Sequence, residues 1–304
     1  MSRVLWVSIL MLISVSGYAD CQSERVKVQV LGSGGPEIDD GRASSSYLIW
    51  LDNKATILLD AGSGSSFNYE KSGAKPNDLK IMLFSHLHVD HSIEFPAYIK
   101  GFFFTGRKQD LLVFGPTGNS LLPATTAFVD KFFAKKGVYP YLNEYINSGK
   151  RSAYKVKATD IDVKKKVVTQ VFKDSDFQIS AVPVHHGPLP ALAWRIDVAG
   201  CKLAFSGDMN NRYNTLVKIA AEADLLVAHL AIPEQATGVA RKLHMPPSVI
   251  GKIAGEAHVD KLILSHRMKR TLGKEGEARQ LIRKSYQGPI FFSDDLDFFY
   301  PDAL

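Results

Sequence analysis

Short apolar runs alternate along the chain with turn-rich polar segments, and their spacing predicts an α/β fold. Arg25 to Leu31 alternates polar and apolar positions and stops at Gly32-Ser33-Gly34-Gly35-Pro36, the pattern of a strand closed by a turn. Tyr47 to Leu51 and Thr56 to Asp60 read as strands paired around Asp52-Asn53-Lys54. Leu79 to Ser85 is short, mostly apolar and bounded upstream by Pro76-Asn77-Asp78, so it predicts a buried strand, as does Leu111 to Phe114. A second strand-rich half runs Phe177–Val184, Leu192–Asp197, Cys201–Ser206, Asp224–His229 and Lys261–Ser265. Helical periodicity is read near Ile93 to Lys100, across 118–135, and at about 211–222, 247–258 and 274–286. Residues 136–175 fit neither pattern. There Tyr139, Tyr141 and Tyr145 precede a polar, basic stretch that suits either a substrate-covering insertion or a meander of the second sheet.

The first residues do not follow this rhythm. Arg3, the apolar stretch Val4 to Val15 and the small residues of Gly17-Tyr18-Ala19 predict a signal peptide over 1–19, leaving one domain over 20–304 and a periplasmic or secreted location. The apolar stretch is short for a permanent membrane helix, so no stable membrane association is expected after cleavage. Asp20 before Cys21 argues against a lipoprotein. In an oxidising compartment Cys21 and Cys201, the only cysteines, have the option of pairing and tying the mature N-terminus to the sheet. The 304 residues, 45% of them hydrophobic, exclude a disordered chain and suffice for a large α/β domain. The net charge of +6 is scattered apart from Lys164-Lys165-Lys166, which reads as a solvated face, and a mild positive field favours an anionic substrate. Oligomeric state is left open, a homodimer included.

Chemistry enters directly behind the strand at Leu79–Ser85. His86, His88, Asp90 and His91 form a His-x-His-x-Asp-His cluster, and burying four such groups without partners would be costly. At a strand end they can share metal ions instead. His186, Asp208 and His266 also follow predicted strands, and ligands gather at strand ends in open α/β sheets. His86, His88 and His186 supply one metal, Asp90, His91 and His266 a second, and Asp208 bridges both. Two zinc ions suit these nitrogen and oxygen donors, and manganese or iron satisfy the same set. Such a pair would hold a bridging hydroxide at neutral pH.

These segments resemble the metallo-β-lactamase superfamily, most closely its ribonuclease Z, phosphodiesterase and arylsulfatase branch. The resemblance rests on Leu31-Gly32-Ser33-Gly34-Gly35-Pro36, Arg42-Ala43-Ser44-Ser45-Ser46, Leu58-Leu59-Asp60-Ala61-Gly62, His86 to His91, His186-Gly187 with Trp194-Arg195-Ile196, Ser206-Gly207-Asp208 and Leu264-Ser265-His266. It implies a four-layer αββα sandwich and a metal-dependent hydrolase with Asp90 as a catalytic carboxylate. It also implies that His186, next to the glycine, is the ligand rather than His185. His244 stands where ribonuclease Z-like enzymes carry a proton-relay histidine. In Ala228-His229-Leu230-Ala231, His229 stands where those enzymes carry the Glu that supports the relay, and it is either a further catalytic candidate or the filling of a polar pocket with no catalytic part. The bacterial tRNA-gripping arm would lie between His186 and Asp208, and the short segment 187–207 leaves no place for it.

The reading is an exported dinuclear hydrolase of a small, anionic phosphodiester or sulfate ester. The missing arm and the signal peptide both argue against pre-tRNA. The alternatives are a lactonase or β-lactamase-type enzyme, and a non-catalytic metal-binding protein on the same scaffold.

Overall fold

Fourteen strands alternate with short helices in a computed structural model that describes residues 20–301, so the predicted signal segment lies outside the described residues. The first half contributes β1 (Val26–Gly32), β2 (Ser46–Leu51), β3 (Lys54–Leu59), β4 (Ile81–Leu83), β5 (Leu111–Pro116) and β6 (Val156–Ile161), with helices α1 (Ser65–Lys71), α2 (Val89–Ser92), α3 (Phe95–Phe102) and α4 (Thr125–Phe133). The second half contributes β7 (Thr169–Lys173), β8 (Phe177–His186), β9 (Leu189–Val198), β10 (Cys201–Phe205), β11 (Leu225–His229), β12 (Lys261–Ser265), β13 (Ile290–Phe292) and β14 (Phe298–Phe299). Its helices are α5 (Leu216–Ile219), α6 (Gly238–Leu243), α7 (Pro247–Glu256) and α8 (Glu275–Ile282). One sheet runs β14-β1-β2-β3-β4-β5-β6 and the other β13-β12-β11-β10-β9-β8-β7.

Three apolar layers join the sheets and helices into the expected four-layer sandwich. Between the sheets lie Val28, Val30, Tyr47, Ile49 and Ile57 from one, and Ile179, Trp194, Ile196, Leu203 and Phe205 from the other. Leu48, Trp50, Leu58 and Met82 face the opposite way and pack on α1, α3 and α4. Val182, Val184 and Leu226 do the same against α5, α7 and α8. Adjacent residues such as Tyr47 and Leu48 divide between two cores because side chains alternate across a strand. All six residues of β2 are buried for that reason.

The tight turn predicted between β2 and β3 is present, with Asp52 and Asn53 at φ of 50° and 60°, the left-handed pair that matches strand twist. Four expectations are corrected. The helix expected across 118–135 begins only at Thr125, because Asn119 Oδ1 accepts from the amides of Leu121 and Leu122 and holds a turn ahead of Pro123. The helix expected over 211–222 shrinks to α5, since Asn211 and Asn214 adopt left-handed φ of 63° and 50°. Asp60 lies just beyond β3 with φ of 59°. Residues 136–175 join the expected meander of the second sheet only through β7, which pairs antiparallel with β8. They carry the chain across the sandwich, giving β6 to the first sheet and β7 to the second.

Cys21 and Cys201 form a disulfide that anchors the segment before β1 to β10, beside a hydrogen bond from Gln22 N to Ala199 O at 3.0 Å. The bridge closes a long loop, so its loss frees the unfolded chain. A Cys21→Ser/Cys201→Ala variant is expected to lose about 2–4 kcal/mol of stability. Thermal unfolding would show this as a lower Tm, and an unchanged Tm would mean that the bridge contributes nothing. Among the described residues no helix is long and apolar enough to cross a membrane.

Candidate metal centre

Strand direction brings the site together. β3, β4 and β5 run parallel in the first sheet, and β10, β11 and β12 run parallel in the second, with β8 brought into the same direction by two antiparallel pairings. The ends that carry Asp60, His86, His186, Asp208, His229 and His266 therefore meet at one rim of the sandwich. The sheets are tied there by Leu192 N to Ser85 O at 2.8 Å and Trp194 Nε1 to Phe84 O at 3.2 Å. Gly207 is required at this seam. Its φ is 56°, and a side chain there would meet Ser85 Cβ at 2.9 Å and Leu192 O at 3.0 Å.

Two groups of potential ligands converge, His86, His88, His186 and Asp208 in one and His91, Asp208, His229 and His266 in the other. In the first, His88 Nδ1 lies 3.0 Å from His86 Nε2 and 3.4 Å from His186 Nε2, which is 3.7 Å from Asp208 Oδ2. Around the second, His266 Nε2 lies 3.3 Å from Asp90 Oδ2 and 3.5 Å from Asp208 Oδ1. His91 Nε2 lies 3.5 Å from Asp90 Oδ2 and 3.7 Å from Asp208 Oδ2. Four ligands at zinc–nitrogen and zinc–oxygen bond lengths of about 2.1 Å stand roughly 3.4 Å apart in a tetrahedron. The spacing, the donor types and a buried His91 Nε2 without a hydrogen-bond partner all fit a metal cation.

The far nitrogens of the ligand candidates are held in place. Asp60 Oδ2 lies 2.7 Å from His91 Nδ1, while Asp60 also accepts from Ser85 N and Oγ at 2.7 Å each. His186 Nδ1 donates to Leu243 O at 2.9 Å, and His86 Nδ1 lies 3.1 Å from Ser85 Oγ. Such contacts fix the ring and its tautomer so that the other nitrogen presents a lone pair. Asp60 supports the site although the sequence marks it only as a strand end within the Leu58-Leu59-Asp60-Ala61-Gly62 segment. A lone acid closing an apolar strand was its available signal.

Electrostatics separate the groups. Burial lowers the pKa values of His86, His88 and His186, keeping them neutral as ligands must be. At His91 burial opposes the charge, but Asp90, Asp60 and Asp208 hold its pKa up at about 9. Burial likewise opposes ionisation of Asp208, yet His266, His244, His229 and His91 hold its pKa well below the usual carboxylate range.

The structure gathers all nine sequence-predicted site residues. His229 is buried, its Nδ1 2.8 Å from Asp208 Oδ1 and its Nε2 3.0 Å from Tyr47 Oη. Burial lowers its pKa to about 4, so the ring is neutral. Both nitrogens are engaged, Nδ1 with Asp208 and Nε2 with the Tyr47 hydroxyl, which also donates to Ser265 Oγ at 2.9 Å. Asp90 is thereby the freer donor to the second group. His244 Nδ1 lies 3.7 Å from Asp208 Oδ2, and burial lowers that ring's pKa to about 3. His185 points away from the cluster and packs edge-on against Tyr213, because alternation along β8 puts it on the face opposite His186.

The family profile described as the Metallo-beta-lactamase superfamily matches residues 39–249. Ribonuclease Z of Picrophilus torridus is 26% identical over 269 residues, 79% of this chain and 85% of that protein. Among solved structures, the metallo-beta-lactamase fold protein YhfI from Bacillus subtilis superposes with a TM-score of 0.69 at 19% identity, over 90% of this chain and 99% of its own. The short form of human tRNase Z gives 0.69 at 18%, over 91% of this chain and 100% of its own. With the sandwich, the rim of histidines and aspartates and the matched profile in agreement, the chain belongs to the metallo-beta-lactamase superfamily, is similar to ribonuclease Z within it, and is a metal-dependent hydrolase.

Proposed function

We propose that the protein hydrolyses a phosphodiester or a sulfate ester and that its two donor groups hold two zinc ions. The observation that carries this reading is the sharing of Asp208 between the groups. Bound there, the ions would acidify a water nucleophile and offset the charge that develops on the ester. The chain's own residues orient and move protons. Asp60 and the Leu243 carbonyl fix His91 and His186, and His229 steadies Asp208 through Nδ1 with Tyr47 behind it. To His244, beside Asp208, we assign the relay of a proton to the leaving oxygen. Similarity to ribonuclease Z supports a phosphodiester, and the positive net charge supports an anion. β9 and β10 take up the connection between His186 and Asp208, which supports a substrate smaller than pre-tRNA.

A panel on zinc-loaded protein tests this: bis(p-nitrophenyl) phosphate, p-nitrophenyl sulfate, a lactone and a chromogenic β-lactam. The phosphodiester or the sulfate is expected to turn over, with loss on chelation, recovery on adding zinc, and two zinc equivalents retained per dialysed chain. Turnover of the β-lactam or lactone alone would overturn the reading. We also infer export. The Cys21–Cys201 bridge supports an oxidising compartment, and the pattern over residues 1–19 supports a cleaved signal. N-terminal sequencing of the fractionated protein decides it, an intact Met1 in the cytoplasm being the contrary result.

A further inference from the structure

A cavity of about 660 Å³ opens beside the metal centre, and Arg212, Arg241 and Lys242 line it with no acidic side chain among its lining residues. Its walls are chain neighbours of the site. Gly187 follows His186, Asn210 stands two residues after Asp208, and Lys242 stands two before His244. Two residues of chain reach about 7 Å at most, so the backbone at Asn210 and Lys242 runs close beside Asp208 and His244, with Arg212 and Arg241 on the same wall. Asn210 locks this wall, its amide nitrogen donating to His185 O at 2.9 Å and its side chain to Lys242 O. The lysine run of residues 164–166 reaches the same wall. Lys166 Nζ lies 3.8 Å over the ring of Tyr213, which packs on His185, itself part of the lining.

Among the described residues, none of Arg212, Arg241 and Lys242 has a carboxylate within ion-pairing distance, whereas Arg25, Arg42 and Lys269 elsewhere do. The cavity at Asp90 is mixed in charge, with Glu37 and Asp295 as well as Arg42 and Lys71 beside exposed Ile38 and Phe67. Arg212, Arg241 and Lys242 thus form a cationic wall whose lining holds no acid. Guanidinium and ammonium groups without acidic partners, open to solvent beside a hydrolytic centre, suit an oxyanion that arginine can grip through two parallel hydrogen bonds.

We propose that this basin is a subsite for a second phosphate on the substrate. The substrate class is then a doubly anionic ester, such as a nucleoside unit with one phosphate in the scissile diester and another one sugar away. The proposal rests on the phosphodiesterase reading above and narrows it.

Two p-nitrophenyl esters of thymidine 5′-phosphate, one with and one without a 3′-phosphate, test it on the zinc-loaded protein. The wild type is expected to favour the 3′-phosphorylated ester by about tenfold in kcat/KM, chiefly through KM, since exposed ion pairs each contribute a few-fold. That ratio is expected to fall to about one in an Arg212→Gln/Arg241→Gln/Lys242→Gln variant, and to shrink as salt rises. Equal rates in the wild type, or a preference kept by the variant, overturns the subsite. Calorimetric binding of thymidine 3′,5′-bisphosphate, with and without zinc, gives a readout independent of turnover. Binding about tenfold weaker in the variant supports the subsite, and equal binding overturns it. Hydrolysis of both esters without preference keeps the phosphodiesterase and removes the subsite. Variant-sensitive binding without hydrolysis of either ester does the reverse.

Discussion

An Asp208→Ala variant is expected to lose bound metal and on the order of 10³-fold or more of its kcat/KM toward any ester the enzyme cleaves. Asp208 lies within 3.7 Å of His91, His186, His229, His244 and His266, so one carboxylate stands among five imidazoles drawn from five segments of the chain. It is the single group common to both sets of donors, and its removal depletes both at once. It also supplies negative charge beside His91 and His266, whose pKa values lie above the ordinary histidine value although burial opposes their charge. Without Asp208 their positive charges would face each other with less compensation, opposing entry of a cation. The three apolar layers do not include Asp208, so the variant should still fold. Metal analysis of dialysed protein beside steady-state kinetics reads the outcome. Two retained equivalents with near-normal turnover would contradict a shared carboxylate.

Asp60→Ala should be the most damaging single change to stability near the site. The carboxylate is buried and meets Ser85 N, Ser85 Oγ and His91 Nδ1, each at 2.7 Å. Truncation strands those polar groups in a sealed environment, and removing one partner of a buried charged pair costs about 3–5 kcal/mol. It also frees the His91 ring, for which a loss of about 10–100-fold in metal affinity is the usual consequence. Asp60→Asn keeps the shape but replaces one acceptor oxygen by a donor, so its effect should fall between wild type and alanine. Chemical denaturation and zinc titration measure the two effects separately. A stable Asp60→Ala protein with unchanged zinc affinity would show that Asp60 neither supports the fold nor orients His91.

Much of this was legible in the order of residues. The strands of both halves were readable because each is a short apolar run closed by a turn, as Leu79 to Ser85 shows. The His86 to His91 motif was readable because its members are close in sequence and too costly to bury without a shared partner. Tyr47 was not readable as a site residue. In β2 it is one more aromatic of the core, and only the facing sheet brings His229 to its hydroxyl. β14 was missed because a two-residue strand has no periodicity, and β1 makes it a strand by pairing with it across most of the chain. α5 was overestimated because two asparagines in left-handed conformations outweighed the apolar spacing around them.

The basin beside the metal centre shows the same division. Lys164-Lys165-Lys166 reads as a solvated run, and Arg212 and Arg241-Lys242 are unremarkable where they stand in the chain. Only the end of β8, with α6 and the loop after β10, puts Arg212, Arg241 and Lys242 around one cavity. By itself the sequence determined the types of donor, the strands that carry them and the capacity for a disulfide, because these depend on side-chain chemistry and near-neighbour periodicity. Tertiary structure alone decided that Cys21 meets Cys201, that Asp60 holds His91, that His229 binds Asp208, and that Arg212, Arg241 and Lys242 form one cationic wall. Each of those depends on distances of a few ångströms between residues far apart in the chain, and such distances are set when two sheets pack face to face rather than by either sheet's own sequence.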